Sequence, residues 1–444
     1  MRLVWETLFE QLADRLRSQL QAEETFTLTL SGESSQFVRF NQAKVRQSGL
    51  VQDGELQLTL MKQQRIGDRH LPFTGDQAED LAQLQTALTE LRAEVEQLPA
   101  DPHIVLPSGS ATSHESHHGQ LLAPEAVAAT ILAPVQGLDF VGIYASGQVI
   151  RAYADSAGQT HWFETDTFTL DYSCFTADGQ AVKGTVAGSD WDEAIYQHTI
   201  DQTKALLAKL AQPPKPIARG SYRTYLAPAA VADLISMFSW GGVSESAIRR
   251  GGSPFGLMRR GEKQLSPKFT LVEDFSQGLV PRFNELGEAA PQRLPIIAAG
   301  ELRHSLISSR TAKEYDITSN YAAGGEYLRS PKVEPGDLAE SDILAALDTG
   351  LYVSNLHYLN WSDRPQGRIT GMTRYACFWV EQGEIVAPIQ NLRFDDSFYR
   401  IFGEQLLALT DFRQFIPEVG TYGNRSLGGA YVPGALVADF TYTL

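Results

Sequence analysis

The sharpest chemical signal in the chain is His114-Glu115-Ser116-His117-His118, which satisfies the H-E-x-x-H spacing. Zinc peptidases place that spacing on a helix, where residues four apart bring two imidazoles to one face beside a glutamate that activates water. Here the flanks, SGSATS and GQLLAP, carry no apolar period, so the segment reads as a His-rich loop with no scaffold to fix the geometry. No third ligand is identifiable in the sequence. Asn320-Tyr321-Ala322-Ala323-Gly324-Gly325 has the glycines of a phosphate loop but lacks the G-K-[ST] ending and a following helix, and it reads as a groove-lining turn. His70, His103, His161, His198, His304 and His357 are scattered, Glu273-Asp274 ends a strand, and Asp395-Asp396 stands at a helix start, where capping is its role. Cys174 and Cys377 lie among aromatic neighbours and read as buried free thiols. Taken alone, these residues form no catalytic constellation.

The elements that would position any site are clearer. Leu8, Leu12, Leu16 and Leu20 mark a first helix over residues 3–22. Strand-like segments follow at 25–30, 36–40, 44–49 and 55–61, with turns expected at Asn41-Gln42 and Asp53-Gly54. Leu81, Leu84, Leu88, Leu91, Val95 and Leu98 define a second helix ended by Pro99. Residues 99–123 read as a long loop, and a short helix is expected from about Pro124 to Leu132. More strands follow, with turn signals at Ser146-Gly147, Ala157-Gly158 and Asp178-Gly179. Ser189 is expected to cap a helix reaching about Ala211, with Ile195, Thr199, Leu206 and Leu210 inward. QPPKPIARG (212–220) cannot continue a helix and reads as a joint. Beyond it, APAAVADLISMFSWGGVSESAIRRGG (227–252) begins as a helix at Pro228, with Val231, Leu234, Ile235 and Phe238 as one apolar stripe, and bends at Gly241-Gly242. The remainder alternates glycine-punctuated short strands with a few helices, one expected within 395–409, and closes on the strand ALVADFTYT. No repeat of fixed period is present.

A length of 444 residues predicts more than one domain: an N-terminal α+β domain over 1–212, a linker at 213–220, and a β-rich domain over 221–444. The fold class is therefore α+β, an antiparallel meander with packed helices followed by the β-rich half. A net charge of −16 argues against nucleic acid as a partner, because phosphate binding needs a basic surface. No apolar run long enough for a membrane span and no secretory h-region occur, so a cytoplasmic protein is expected.

The order of segments resembles one family. SSQFVRFNQAKVRQSGLVQDGELQLTL, VIRAYADSAGQ, the joint with the helix after it, VEDFSQGLVPRFNELGEAAPQRLPIIAAGELRHSLISSRTAKEY, TGLYVSN, RITGMTRYACFWVEQGEIVAPIQNLRF and the closing strand are similar to the TldD/TldE (PmbA) family, once called modulators of DNA gyrase. In its TldD branch the resemblance implies a zinc peptidase with a His-Glu-x-x-x-His helix and a Cys ligand from the C-terminal region. Laid on LISMFSWGGVSESAIRRGG without a gap, the first His falls on Ser236, the Glu on Met237 and the second His on Gly241, while Arg249-Arg250-Gly251 matches the trailing Arg-Arg-Gly. None of those three can ligate zinc or act as a general base, and TYGNRSLGGAYVPG, where the Cys would lie, has no Cys.

The chain is thereby similar to the TldE/PmbA branch, which lacks the metal motif. That resemblance implies no catalytic residue, no metal and no cofactor. It implies instead a subunit that pairs with a TldD-like metallopeptidase and helps hold an unfolded peptide, by strand addition to a sheet edge that the β-rich half would offer. Ser236, Met237, Gly241, Gly242, Arg249 and Arg250 are the candidate groove residues. The alternatives are a stand-alone metallopeptidase and a homodimeric peptide-binding protein.

Overall fold

The computed structural model describes residues 2–443. Its N-terminal half is built on a seven-stranded sheet: β1 (Glu24–Asn41), β2 (Lys44–Lys62), β3 (Arg65–Pro72), β4 (Thr112–His117), β5 (Asp139–Asp155), β6 (Thr160–Phe175) and β7 (Ala181–Gly188). The strands run in the order β3-β2-β1-β5-β6-β4, with β7 also on β6, and only β4 pairs in parallel. Alternate residues of β1 (Phe26, Leu28, Leu30) join Leu56, Leu58, Leu60, Ile150 and Ala152 on one face. Helices α1 (Arg2–Gln19) and α2 (Gln77–Val95) cover that face with Phe9, Leu12, Leu84, Leu88 and Leu91. Farther along the sheet, α3 (Pro124–Leu132) and α4 (Glu193–Leu210) cover Phe40, Phe140, Tyr144 and Tyr172. Because side chains alternate along a strand, the opposite face receives Thr29, Ser31, Glu33, Gln57 and Arg151. This polar face looks toward the C-terminal half.

Several sequence expectations change here. The four short segments between 25 and 61 are two long strands. Asp53-Gly54 is no turn but pairs with Glu33-Gly32 in mid-sheet, with Phe73 packed 3.0 Å from where a Cβ of Gly54 would stand. The turn falls at Gln63-Gln64, both left-handed (φ 50° and 61°), and the preceding one at Gln42-Ala43 (φ 52° and 51°). Ser146-Gly147 likewise lies within β5, against Gln36 and Ser35 of β1, whereas the turns at Ala157-Gly158 and Asp178-Gly179 are present. Residues 112–117, expected within a loop, add a parallel strand to β6. Helix α4 is capped by the Asp192 carboxylate rather than Ser189, and its buried face is Tyr196, Ile200, Thr203 and Leu210. Ile195 is exposed, one position off that stripe.

The C-terminal half opens with β8 (Gly220–Leu226) and α5 (Pro228–Ser239), followed by the short helices α6 (Glu245–Arg249) and α7 (Gly256–Arg259). Strands β9 (Leu271–Asp274), β10 (Arg293–Ala298) and β11 (Glu301–Leu302) precede α8 (Ser309–Tyr315), β12 (Pro331–Val333) and α9 (Ile343–Leu347). Strands β13 (Gly350–Val353), β14 (Asn355–Asp363), β15 (Arg368–Arg374), β16 (Phe378–Glu381), β17 (Glu384–Pro388) and β18 (Arg393–Ser397) come next. The chain finishes with β19 (Leu406–Leu409), β20 (Gln414–Pro417), β21 (Gly429–Val432) and β22 (Ala435–Tyr442). They form a six-stranded sheet, β11-β10-β9-β12-β21-β20, and a nine-stranded one, β14-β15-β18-β22-β8-β13-β16-β17 with β19 on β22. The helix expected within 395–409 is absent: Arg393–Ser397 pairs with β15, one π-helical turn spans Arg400–Glu404, and Leu406–Leu409 is a strand. Phe394, Phe398, Ile401 and Phe402 are all fully buried; strand pairing satisfies the backbone at Phe394, and the Phe398 amide bonds to the Gly367 carbonyl at 3.0 Å. Among the described residues no helix is long and apolar enough to cross a membrane.

Candidate functional site

Helix α5 lies against both the nine-stranded sheet, at β14, and the six-stranded one, at β20 and β21. Its stripe Val231, Leu234, Ile235 and Phe238 is buried, and Phe238 meets Phe255 and Phe398 edge-on at 5.1 and 5.2 Å. Pro228 supplies a first-turn residue that needs no amide bond. The helix stops because Trp240 leaves helical geometry and Gly241 adopts φ 77°, after which the amides of Gly242 and Val243 both bond to the Phe238 carbonyl. A Cβ on Gly242 would stand 2.6 Å from that carbonyl oxygen, so the glycine is required by the turn.

The other side of α5 presents Ala232, Asp233, Ser236 and Ser239 at helical spacing to a cavity of about 1190 Å³. The polar face of the N-terminal sheet, through Ser31, Gln57 and Arg151, forms the facing wall. Loops around 280–285, 323–329 and 424–430 close the sides. The cavity therefore lies where the two halves of the chain meet, a common position for ligand sites.

The six candidate groove residues part company here. Ser236 lines the cavity, with its hydroxyl donating to the Asp233 carbonyl at 2.7 Å. Met237 points the opposite way and is buried in the core. Gly241 and Gly242 form the turn beyond the cavity wall. Arg249 lies farther on, its Nε donating to Glu245 Oε1 at 2.8 Å, and Arg250 is exposed. Burial alone would raise the Glu245 carboxyl, but bonds from Arg259, Ser305 and Arg249 bring it down to about 2, which makes this a fixed structural pair.

A zinc ion does not fit the positions that resemble the metal helix. The Ser236 hydroxyl is engaged, the Met237 thioether is inside the core and Gly241 has no side chain. The loop 424–430 does reach the cavity beside Ser236, but it brings Asn424, Ser426 and Leu427. Both thiols lie elsewhere, and burial pushes Cys174 up to about 12 and Cys377 up to about 11. Among the described residues no group of three or more His, Cys, Asp or Glu side chains is placed to hold a metal. The 114–118 histidines are separated because they lie along a strand. His114 sits 3.3 Å from Glu6, His117 packs on Phe163, and His118 is 3.5 Å from Asp166.

Two cavity residues escaped the sequence reading. Asp233 accepts from the Leu356 amide at 3.0 Å, and burial pushes its carboxyl up to about 7 against that bond. Arg151 stands on β5 within a polar strand face. Asp233 was legible as a polar residue off the apolar stripe of α5. Nothing in the local pattern marked Arg151.

Fold and cavity together define an α+β protein whose N-terminal sheet closes a chamber over a β-rich half. The chain belongs to the TldD/TldE/PmbA family: the family model described as the PmbA/TldA metallopeptidase C-terminal domain matches residues 219–443. The whole fold is similar to that of TldE from Thermococcus kodakarensis (TM-score 0.80, 14% identity, 98% of this chain and 100% of that one). It is also similar to a proposed modulator of a DNA gyrase from Thermotoga maritima (TM-score 0.76, 14% identity, 98% and 100% covered). Another proposed modulator, from Bacteroides thetaiotaomicron, gives a TM-score of 0.76 at 16% identity, with 98% of each chain covered. At such identities the likeness concerns the fold. A search of curated proteins gave no match.

Proposed function

We propose that this chain is a non-catalytic, peptide-handling subunit that pairs with a TldD-type metallopeptidase. The observation that carries the reading is the cavity wall on α5. It presents Ser236 and Asp233 to the cavity in a chain of a metallopeptidase family, while the positions matching the metal helix hold no zinc donor set. Space of about 1190 Å³ suits a few residues of extended peptide.

The surface that suits the partner subunit is the outer edge of β2. Strand β3 covers β2 only from Glu55 to Lys62, so among the described residues no strand pairs with the outer backbone edge of 44–53. All ten are exposed, with Val45 at 44% and Leu50 at 78%. An open edge with apolar side chains is a template for strand pairing. Lys44 and Arg46 give it a basic character that a chain of net charge −16 lacks elsewhere on average, which suits an acidic partner edge.

The test is to purify the full chain and measure zinc content, peptidase activity and size, alone and with a TldD-type partner. The expected result is no stoichiometric zinc and no activity alone, with a complex and activity on mixing. Leu50→Asp should abolish that complex and leave the melting temperature of the isolated chain unchanged. One tightly bound zinc lost in His114→Ala would overturn the reading, as would failure to associate with any TldD-type chain.

A further inference from the structure

The polar face of the N-terminal sheet carries a positive charge that the fold does not neutralise. Arg151 lies on β5 between Ser31 of β1 and Phe163 of β6, half-buried and facing the cavity. Its hydrogen bond within the chain runs from Nη1 to the Ile150 carbonyl at 2.8 Å. Among the described residues no carboxylate lies within ion-pair distance of it. The counter-charge acting on it is Glu33, which is already engaged by the Ser35 hydroxyl at 2.6 Å and the Arg425 amide at 3.3 Å. The same carboxylate also faces the buried guanidinium of Arg425. Two guanidinium groups thus share one carboxylate, and the surplus cation is the one that opens on the cavity. Arg329, which also lines the cavity, spends its guanidinium on the carbonyls of Pro281, Arg282 and Phe283. Arg151 has most of its five planar donors unspent, in a site where water is partly excluded. A cation so placed is costly until an anion completes it.

We propose that Arg151 receives a carboxylate of the bound peptide, an inference that rests on the peptide-handling reading above and deepens it. The carboxylate is either the peptide's C-terminus or an acidic side chain, and the guanidinium fork fits both in a bidentate pair.

Three dansylated probes separate these cases with the full-length chain: a neutral hexapeptide ending in a free carboxylate, its C-terminal amide, and the amide with a central glutamate. Anisotropy titration should give a Kd for one of the two carboxylate probes roughly tenfold or more below that of the neutral amide. Preference for the free acid identifies the C-terminus, and preference for the glutamate peptide identifies a side chain. Arg151→Gln should erase the preference without moving the Kd of the neutral amide, and Arg151→Lys should restore part of it. Equal affinities for all three probes would overturn the proposal while leaving peptide handling intact, as would a preference that survives in Arg151→Gln. Failure of every probe to bind would sink both.

Discussion

Asp233 is the residue where the chemistry of the cavity wall becomes measurable through pH. Burial raises its carboxyl to about 7, although the Leu356 amide bonds to it and pulls the other way. The folded chain thus binds this proton more tightly than the unfolded chain, whose carboxyl titrates near the ordinary value of 3.8. Its contribution to stability is complete below about pH 4 and is lost as pH rises through about 7. Asp233→Asn keeps an acceptor for the Leu356 amide and cannot ionise. Scanning calorimetry should find its melting temperature close to wild type at about pH 4 and higher by roughly 1–3 °C at pH 8.5. An offset that does not change between those pH values would disprove the assignment. At this scale the sequence disclosed the buried thiols, whose aromatic neighbours mark them. It did not disclose Asp233 or Arg151 as cavity residues, because their environment is made by segments more than a hundred positions away. The H-E-x-x-H match fails for a reason that its flanks, which point only to a loop, do not reveal. It lies on a strand that ends at His117, and four residues of extended chain set its two histidines about 13 Å apart, too far to share one ion.

At the scale of elements, periodicity was legible wherever one face is apolar, as in α1, α2 and α5. It failed where strands continue through polar stretches. Gly32 and Gly54 show why. Both sit opposite each other in the middle of the β1–β2 ladder, and a Cβ on Gly32 would come within 2.7 Å of the Trp5 ring. Trp5 and Phe73 meet edge-on at 5.0 Å above this pair, so the glycines let aromatic rings lie on the sheet. A DG dipeptide that usually marks a turn here marks a packing groove. Gly32→Ala should therefore cost about 1–3 kcal/mol in urea denaturation, as overpacking does. Gly49, in the exposed part of β2, has nothing within 4 Å of where an added methyl would stand, and Gly49→Ala should be neutral or slightly stabilising. Equal effects at the two sites would disprove the packing argument. The true turn, Gln63-Gln64, carried no signal because neither residue is a usual left-handed type.

For the whole molecule, the cavity exists only because the two halves are held together, and Arg425 is the main bolt. It projects from the loop between β20 and β21 into the polar face of the N-terminal sheet, 3% exposed. Its Nη1 donates to the Ser35 hydroxyl and the Gly147 carbonyl, and Nη2 to both oxygens of Thr167, so it binds three different strands at once. Burial lowers its guanidinium to about 10, partly offset by Glu33, which leaves it charged at neutral pH. Arg310 to Asp101 at 2.6 Å and His161 stacked on Phe283 at 5.3 Å reinforce the same junction. None of this was legible in NRSLGG, a loop with no periodicity, since its partners lie some 260 to 390 positions earlier. Arg425→Met preserves an unbranched apolar stem but leaves Ser35, Gly147 and Thr167 without their donor. The loss should be about 2–4 kcal/mol. Trp5, Trp162 and Trp191 report the N-terminal half and Trp240, Trp361 and Trp379 the C-terminal half, so fluorescence during urea denaturation reads both. The variant should show a lower midpoint, together with faster proteolytic cleavage within 418–428. If its midpoint and cleavage rate match wild type, the halves are held by the remaining contacts and Arg425 is not the element that closes the chamber.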